Sequence, residues 1–559
     1  MATNVISMKY ILFNLLAIVI ASTASFCQTP ISVSEKMVLT CKVWGFLKYY
    51  HPQVAAGKFS WDEELFSILE EIKPVDSKEE LSEVYLEWLE RIGPVEVCAK
   101  CSERIEADYF DRNFNLDWIR NAKNFTRYLS EKLTFIEHNR HIRTKHYARA
   151  NDRTGNVTIT NEVTYNDFDW SKEEMRLLTL FRYWNIVEYF FPYKYQTDTP
   201  WDEVLVRMVL RFMDAGTEVD FHLAMQELVV SIDDSHGVFN THLTGRYSGE
   251  YWLPVYFEVV DNNAVITGFF NEELAGRNDL QIGDVIVSAD GQAVETIFNR
   301  MKKYLSGSNE SRKRRSMYNP MFNGQTNSVT LELIRQGQKT TRTISRYLFR
   351  DFRFSPPTPT VKYRIIEGNI GYVDMGILTT DDVAAMMESL NDTRAIIFDI
   401  RNYPKGTLYA IAAYVCSNEM DFARFIRPDL NYPGRFVWFE GQPCGRKGGP
   451  SYKGKIVLLV DAKSQSHAEF TIMALQTAND VVTIGSQTSG ADGNVSVIEF
   501  PQGLTSRISG LGVFYPDGTE TQRKGVKIDI VVERTVAGIR EGRDEVLERA
   551  IEYVSKESK

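Results

Sequence analysis

The run Lys455-Ile-Val-Leu-Leu-Val460 is followed, after one short turn, by Ala468 to Gln476 with helical spacing. A run this apolar reads as a strand buried in a sheet, and the pattern after it reads as a helix packed against that sheet. The turn between them carries Asp461-Ala-Lys-Ser-Gln-Ser466-His467. A hydroxyl at a strand-to-helix turn stands clear of the sheet, beside the unbonded N–H groups that open a helix. Ser466 is therefore the first candidate for chemistry. The competing reading is an N-cap serine, since serine is a favoured cap.

From about Lys362 onward the chain repeats this theme. Asn369 to Met375 and Ala395 to Ile400 are apolar strands, Thr380 to Leu390 is a helix between them, and Arg543 to Val554 is a closing amphipathic helix. Strand and helix in alternation predict an α/β core with parallel strands. Upstream, residues 248–350 alternate as short strands with turn residues, including Gly283-Asp284 and Asp290-Gly291. The insert Gly307 to Asn319, with Arg312-Lys-Arg-Arg315, reads as a mobile loop able to attract an acidic tail.

The N-terminal half carries an internal repeat at an offset of 140 residues: Trp44 and Trp184, Pro52 and Pro192, Trp61 and Trp201. Both copies read as amphipathic helices, and two copies predict a duplicated helical unit rather than a solenoid. The second copy ends in Asp233-Asp234-Ser235-His236, where the first has Glu96 in place of the histidine. The expected organisation is therefore residues 1–28 as a signal segment, 29–165 as the first helical copy with a connector, and 166–247 as the second copy carrying His236. Residues 248–350 form a β domain and 351–559 an α/β core.

Several separated blocks, in order, resemble the C-terminal-processing (tail-specific) peptidases and the tricorn protease core. They are Asp233-Asp234-Ser235-His236; Leu280-Gln-Ile-Gly283-Asp284-Val-Ile286; Asn369-Ile-Gly371-Tyr372-Val373; Phe398-Asp399-Ile-Arg401-Asn402-Tyr-Pro404-Lys405-Gly406; Gly485-Ser-Gln-Thr488-Ser-Gly490; and Tyr515-Pro-Asp517-Gly518 with Gly525-Val526 and Asp529. The resemblance implies a multidomain α/β protein: a PDZ-like β domain at 248–350 and a ClpP- and crotonase-like catalytic core. It implies a serine peptidase acting on peptide C-terminal tails, without metal or other cofactor. Ser466 would be the nucleophile and His236 the base, with Ser235 beside it. The N–H groups of Gly406 and His467 would hold the oxyanion. The lysine that Ser–Lys members place 25 residues after the serine is absent, because Ala491 stands there. The glutamate that tricorn-like members use to orient their histidine is replaced by Gln522, with Glu520 two residues away, so either becomes the expected orienter. His467, adjacent in sequence to Ser466, is the rival base, but neighbouring residues on a helix do not face one another. These departures leave two alternatives: a peptide-binding protein with a decayed active site, and a crotonase-like acyl-transfer enzyme.

The net charge of −10 argues against nucleic-acid binding, which needs a basic face. Lys9, the apolar run Tyr10 to Ile20 and the small residues Ala21 to Ser25 read as a secretory signal too short for a stable membrane span. Export to a periplasm or beyond is expected. Cys27 suggests a lipid anchor, but Phe26 stands where such a signal wants a small residue. In an exported chain Cys98-Ala-Lys-Cys101 reads as a local disulfide, and Cys416 and Cys444, which flank an irregular stretch, could also pair. The oligomeric state is not legible.

Overall fold

The computed structural model describes residues 29–101, 107–316, 321–352, 360–448 and 452–556. The signal segment and Cys27 lie outside the described residues. No helix among the described residues is long and apolar enough to cross a membrane.

Contacts divide the chain into two units, one of residues 1–103 and 115–141 and one of residues 104–114 and 142–559. In the first, helix α1 (Val33–Tyr50) begins at Ser32, whose N–H is taken by the Glu35 carboxylate at 2.8 Å. Helix α2 (Trp61–Glu71) packs on it through a reciprocal pair. The rings of Trp44 and Trp61 stack at 6.4 Å, and each indole N–H donates to the other's backbone carbonyl, at 3.0 and 3.1 Å. Cys98 and Cys101 are joined by a disulfide, whereas Cys416 and Cys444, the other candidate pair, are both free thiols.

The second unit holds the other tryptophan pair. Helix α3 (Glu173–Phe190) and helix α4 (Trp201–Met213) meet through Trp184 and Trp201, stacked at 6.2 Å with the same reciprocal bonds at 3.0 and 3.1 Å. The equivalent residues at the 140-residue offset thus adopt one geometry. Helix α5 (Glu218–Val230) then leads to the turn with His236. The connector expected to end the first copy at residue 165 divides differently. Tyr109–Phe110 pairs with Phe436 and Val437, and Asn156 bonds to Val495 and Ser496, which places both stretches in the second unit.

Residues 255–345 form an antiparallel sheet of β1 (Val255–Val260), β2 (Asn263–Phe269), β3 (Val285–Ala289), β4 (Ser328–Arg335) and β5 (Gln338–Ser345), ordered β5-β4-β3-β2-β1. Helix α6 (Val294–Met301) closes its core through Val294, Ile297 and Phe298. The basic insert is not a loop: Glu310–Ser316 is a helix, α7. Its arginines find fixed carboxylates, described below, and that pairing orders it.

The C-terminal sheet runs β6 (Tyr363–Ile366), β7 (Ile370–Asp374), β8 (Ala395–Asp399), β9 (Lys455–Val460), β10 (Val481–Gly485) and β11 (Ile530–Val531), in that spatial order. Only β6 is antiparallel to its neighbour. Ile456, Leu458 and Val460 of β9 join one apolar cluster with helix α8 (His467–Leu475). Val457 and Leu459 join the opposite cluster with Val546, Ala550 and Val554 of helix α9 (Glu545–Lys556). Cover on both faces explains the unbroken apolar run.

Candidate active site

Ser466 immediately precedes α8, at the C-terminal end of the central strand β9. Its backbone has φ 56° and ψ −121°, a region that L-residues avoid and that costs of order 1–3 kcal/mol. The strain is held by specific bonds. The Ser466 N–H donates to Ala491 O at 2.8 Å and to Glu469 Oε2 at 3.2 Å. Glu469 is wholly buried and also accepts Gly490 N–H (2.7 Å), Ala491 N–H (3.0 Å) and the Thr488 hydroxyl (2.6 Å). One carboxylate therefore ties the serine turn to the 488–491 loop. Burial keeps that carboxyl above its usual range, although these donors pull it down.

Ser466 and Glu469 form a reciprocal capping box, the serine side chain facing the Glu469 backbone, and among the described residues neither the N–H of His467 nor that of Gly406 has an acceptor. Gly406 has φ 73° and open space where a Cβ would stand. Its loop is anchored beside the serine turn: the Ser464 hydroxyl donates to Ile400 O at 2.7 Å, and Asn402 Nδ2 to Asp374 Oδ1 at 2.6 Å. The His467 ring lies near Tyr403, with centroids 6.1 Å apart; its Nε2 is buried without a partner, and burial lowers its pKa.

His236 follows α5 on a turn that reaches the serine turn through Ser489. The Ser489 hydroxyl lies 2.9 Å from Ser235 Oγ and 3.2 Å from Gln465 Oε1, the residues preceding His236 and Ser466. His236 Nδ1 sits 2.9 Å from Ser509 Oγ and 3.4 Å from Asp234 Oδ1, while Nε2 is buried and unbonded. Asp234 is fully buried; its Oδ1 accepts His236 N–H at 3.0 Å and its Oδ2 accepts Ser509 N–H at 2.7 Å. Burial alone would raise the Asp234 carboxyl, but the charge and bonds of His236 hold it below the usual range.

Neither expected orienter bonds to His236. Gln522 is buried with both amide atoms unpartnered, and makes no bond to His236. Glu520 is held by Arg112, the Tyr195 hydroxyl (2.9 Å) and Lys524 (3.0 Å). Ser509 and Asp234 occupy the Nδ1 side instead. Asp234 stood in the histidine block and was readable there; Ser509, 273 residues from His236, had no local signal. Among the described residues no group of three or more His, Cys, Asp or Glu is placed to hold a metal ion.

An α/β core that lifts a serine on a strained strand-to-helix turn, with free N–H groups beside it, defines a serine-hydrolase class of site. Residues 369–532 match the model of peptidase family S41, which supports a serine peptidase. Mature CPAF has the same fold, at 13% identity and a TM-score of 0.53 over 68% of this chain and 96% of that chain. CPAF complexed with lactacystin gives 12% identity, a TM-score of 0.52, and 69% and 97% coverage. The photosystem II D1 C-terminal processing protease, 16% identical, covers 66% of this chain and 98% of that chain with a TM-score of 0.37. No curated protein matches in sequence.

Proposed function

We propose that this chain is an exported peptidase that cleaves peptide bonds near C-terminal tails through a Ser466–His236 pair. The observation that carries this reading is the complementary state of the two groups. His236 has its Nδ1 face occupied by Ser509 and Asp234 and its Nε2 bare, and Ser466 stands on a strained turn beside the His467 and Gly406 N–H groups, which have no acceptor among the described residues.

In the proposed reaction the Nδ1 proton is held toward Ser509 and Asp234, which leaves the Nε2 lone pair to accept the Ser466 proton. Ser466 Oγ bonds to the scissile carbonyl carbon, and the carbonyl oxygen takes the electron pair. The N–H groups of His467 and Gly406 bind that oxyanion. The imidazolium then protonates the departing amine as the C–N bond breaks. Water, deprotonated by the same Nε2, releases the acyl group and restores Ser466. Asp234 stabilises the imidazolium in both steps. The Cys98–Cys101 disulfide supports export, because such bonds persist in oxidising compartments. Among the described residues β1 has no strand partner on its outer edge, which supports binding of an extended tail by strand addition in a PDZ-like manner.

A fluorophosphonate probe tests this reading. Labelling at Ser466, abolished by Ser466→Ala and strongly slowed by His236→Ala, is expected. A properly folded protein that resists labelling would favour the alternative, a peptide-binding protein with a decayed site, to which the unpartnered Gln522 amide lends support.

A further inference from the structure

Strand β1 is the edge of the antiparallel sheet, hydrogen-bonded to β2 on one side only. A free edge is where an added strand would bind. Among the described residues no strand lies there; helix α7 does. Arg315 reaches Glu258 on β1 at 3.7 Å. Arg314 forks onto Glu295 of α6 at 2.9 and 3.1 Å, and its guanidinium lies 4.4 Å from the centre of the Phe298 ring. Glu310 backs the same arginine at 2.7 Å. So α7 is fastened both to the edge strand and to the helix that flanks it. Beside it opens a cavity of about 410 Å³, lined by β1, by α7 and by Asp461 to Lys463 of the serine turn's own loop.

The segment that leads into α7 is fastened to something else. The N–H of Ser308 donates to Ser235 Oγ and the N–H of Ser235 to Ser308 Oγ, both at 2.8 Å. Asn309 Nδ2 lies within reach of Thr488 O (2.9 Å), Ser489 O (3.2 Å) and Arg523 O (3.1 Å). Lys313, on α7 itself, donates to Asp233 Oδ1 at 2.6 Å, and the Ser306 hydroxyl donates to Gly237 O. Every residue of the Asp233–Gly237 turn except Asp234 and His236 is thus gripped by residues 306–313. Ser308 is fully buried, so these bonds are made out of water, where losing one partner is costly. The fold also demands a close approach here: a Cβ on Gly307 would fall 2.8 Å from the Lys313 backbone nitrogen.

We propose that Ser306–Arg315 is a latch, in which α7 covers the β1 edge while the segment before it positions the histidine turn. A peptide strand can add to β1 only by moving α7, and moving α7 withdraws Lys313 and Ser308 from Asp233 and Ser235. Ser308 and Lys313 are positioning residues acting through His236. The resting arrangement has Ser466 and His236 unbonded to each other, so the latch holds a poised site whose histidine turn is released when the edge is taken. The proposal rests on His236 being the base, but the latch itself is measurable without turnover.

The test uses the full-length chain and three variants that strike the latch away from the turn: Arg314→Ala, Glu295→Gln and Gly307→Ala. Arg277→Ala, which removes only an exposed pair with Glu273, is the control. Hydrogen exchange of the Asp233–Phe239 amides is followed by mass spectrometry, together with the pH dependence of fluorophosphonate labelling. Exchange of that turn should rise roughly tenfold in each variant and not in the control, as expected when a few ion-pair and cation–π contacts that hold a local unit are lost. The midpoint of the labelling pH profile should shift in the same variants, and Arg314→Lys should restore part of the protection. Exchange at the turn that stays within about twofold of the parent, while α7 itself opens, would overturn the latch. If one variant fails to fold, the other two decide. A parent protein that never labels would defeat the proposed chemistry, and the exchange result would still decide the latch.

Discussion

Asp234→Asn tests the geometry on which the proposed mechanism turns. The carboxylate accepts two buried backbone N–H groups, from His236 at 3.0 Å and Ser509 at 2.7 Å. An amide has one oxygen. In either orientation it satisfies one N–H and points its own NH₂ at the other, a buried mismatch that costs about 1–3 kcal/mol of stability. The kinetic cost is larger. A carboxylate 3.4 Å from an imidazolium nitrogen is worth roughly 5 kcal/mol at an effective dielectric near 20. Removing it should slow acylation by about three to four orders of magnitude, at 1.36 kcal/mol per factor of ten. The assay is the second-order rate of fluorophosphonate labelling, with thermal unfolding measured on the same samples. The pH dependence carries a sign. Because the folded carboxyl titrates below its unfolded value, its stabilising contribution is present above about pH 4 and is lost as pH falls through the folded value. The gap in stability between parent and variant should therefore be constant from pH 5 to 8 and close in acid. A folded variant that labels within tenfold of the parent rate would refute the orienting role.

Gln522→Leu should raise stability by about 1 kcal/mol, because it removes two buried amide atoms that have no partner. It should leave labelling nearly unchanged if Ser509 and Asp234 are the orienters; a lower melting temperature or lost labelling would count against that. His51, in the first unit, is pushed down to about 4 by burial, against a raising bond from the Gly93 backbone, and its Nδ1 accepts Gln53 N–H. Its folded value lies below its unfolded one, so the contribution is full above pH 6.5 and about 3 kcal/mol is lost as pH falls toward 4. His51→Asn should flatten that part of the stability profile in scanning calorimetry, and an unchanged slope would exclude His51 as its source.

The α/β core and the serine turn were legible because both are local. The apolar run of β9 has cover on two faces, and the helical spacing of α8 begins one residue before its expected start. The tryptophan repeat was legible because each pair is seventeen residues apart within its own copy and makes the same bonds. What escaped was set by distance. A two-residue strand at Tyr109–Phe110 gains its meaning only from Phe436 and Val437, so the boundary at residue 165 could not be placed from the connector itself. Arg312 to Arg315 read as part of a mobile loop because the carboxylates that order it, Glu258 and Glu295, belong to other elements. The histidine's partner was sought in the closing block, where alignment placed an amide. The structure puts it on Asp234, two residues before His236, and on Ser509.

The bonds at Ser466 also bear on timing. A left-handed serine does not persist in an isolated β-turn-α segment; it is held by Ala491 O and by a carboxylate that must first collect donors from residues 488 to 491. That loop in turn waits on Ser464, Asn309 and Arg523. A chain still in the course of folding therefore carries Ser466 on ordinary, relaxed backbone. Under the proposed mechanism the serine's posture depends on these long-range closures, so an incompletely folded copy would lack the geometry that the reaction needs.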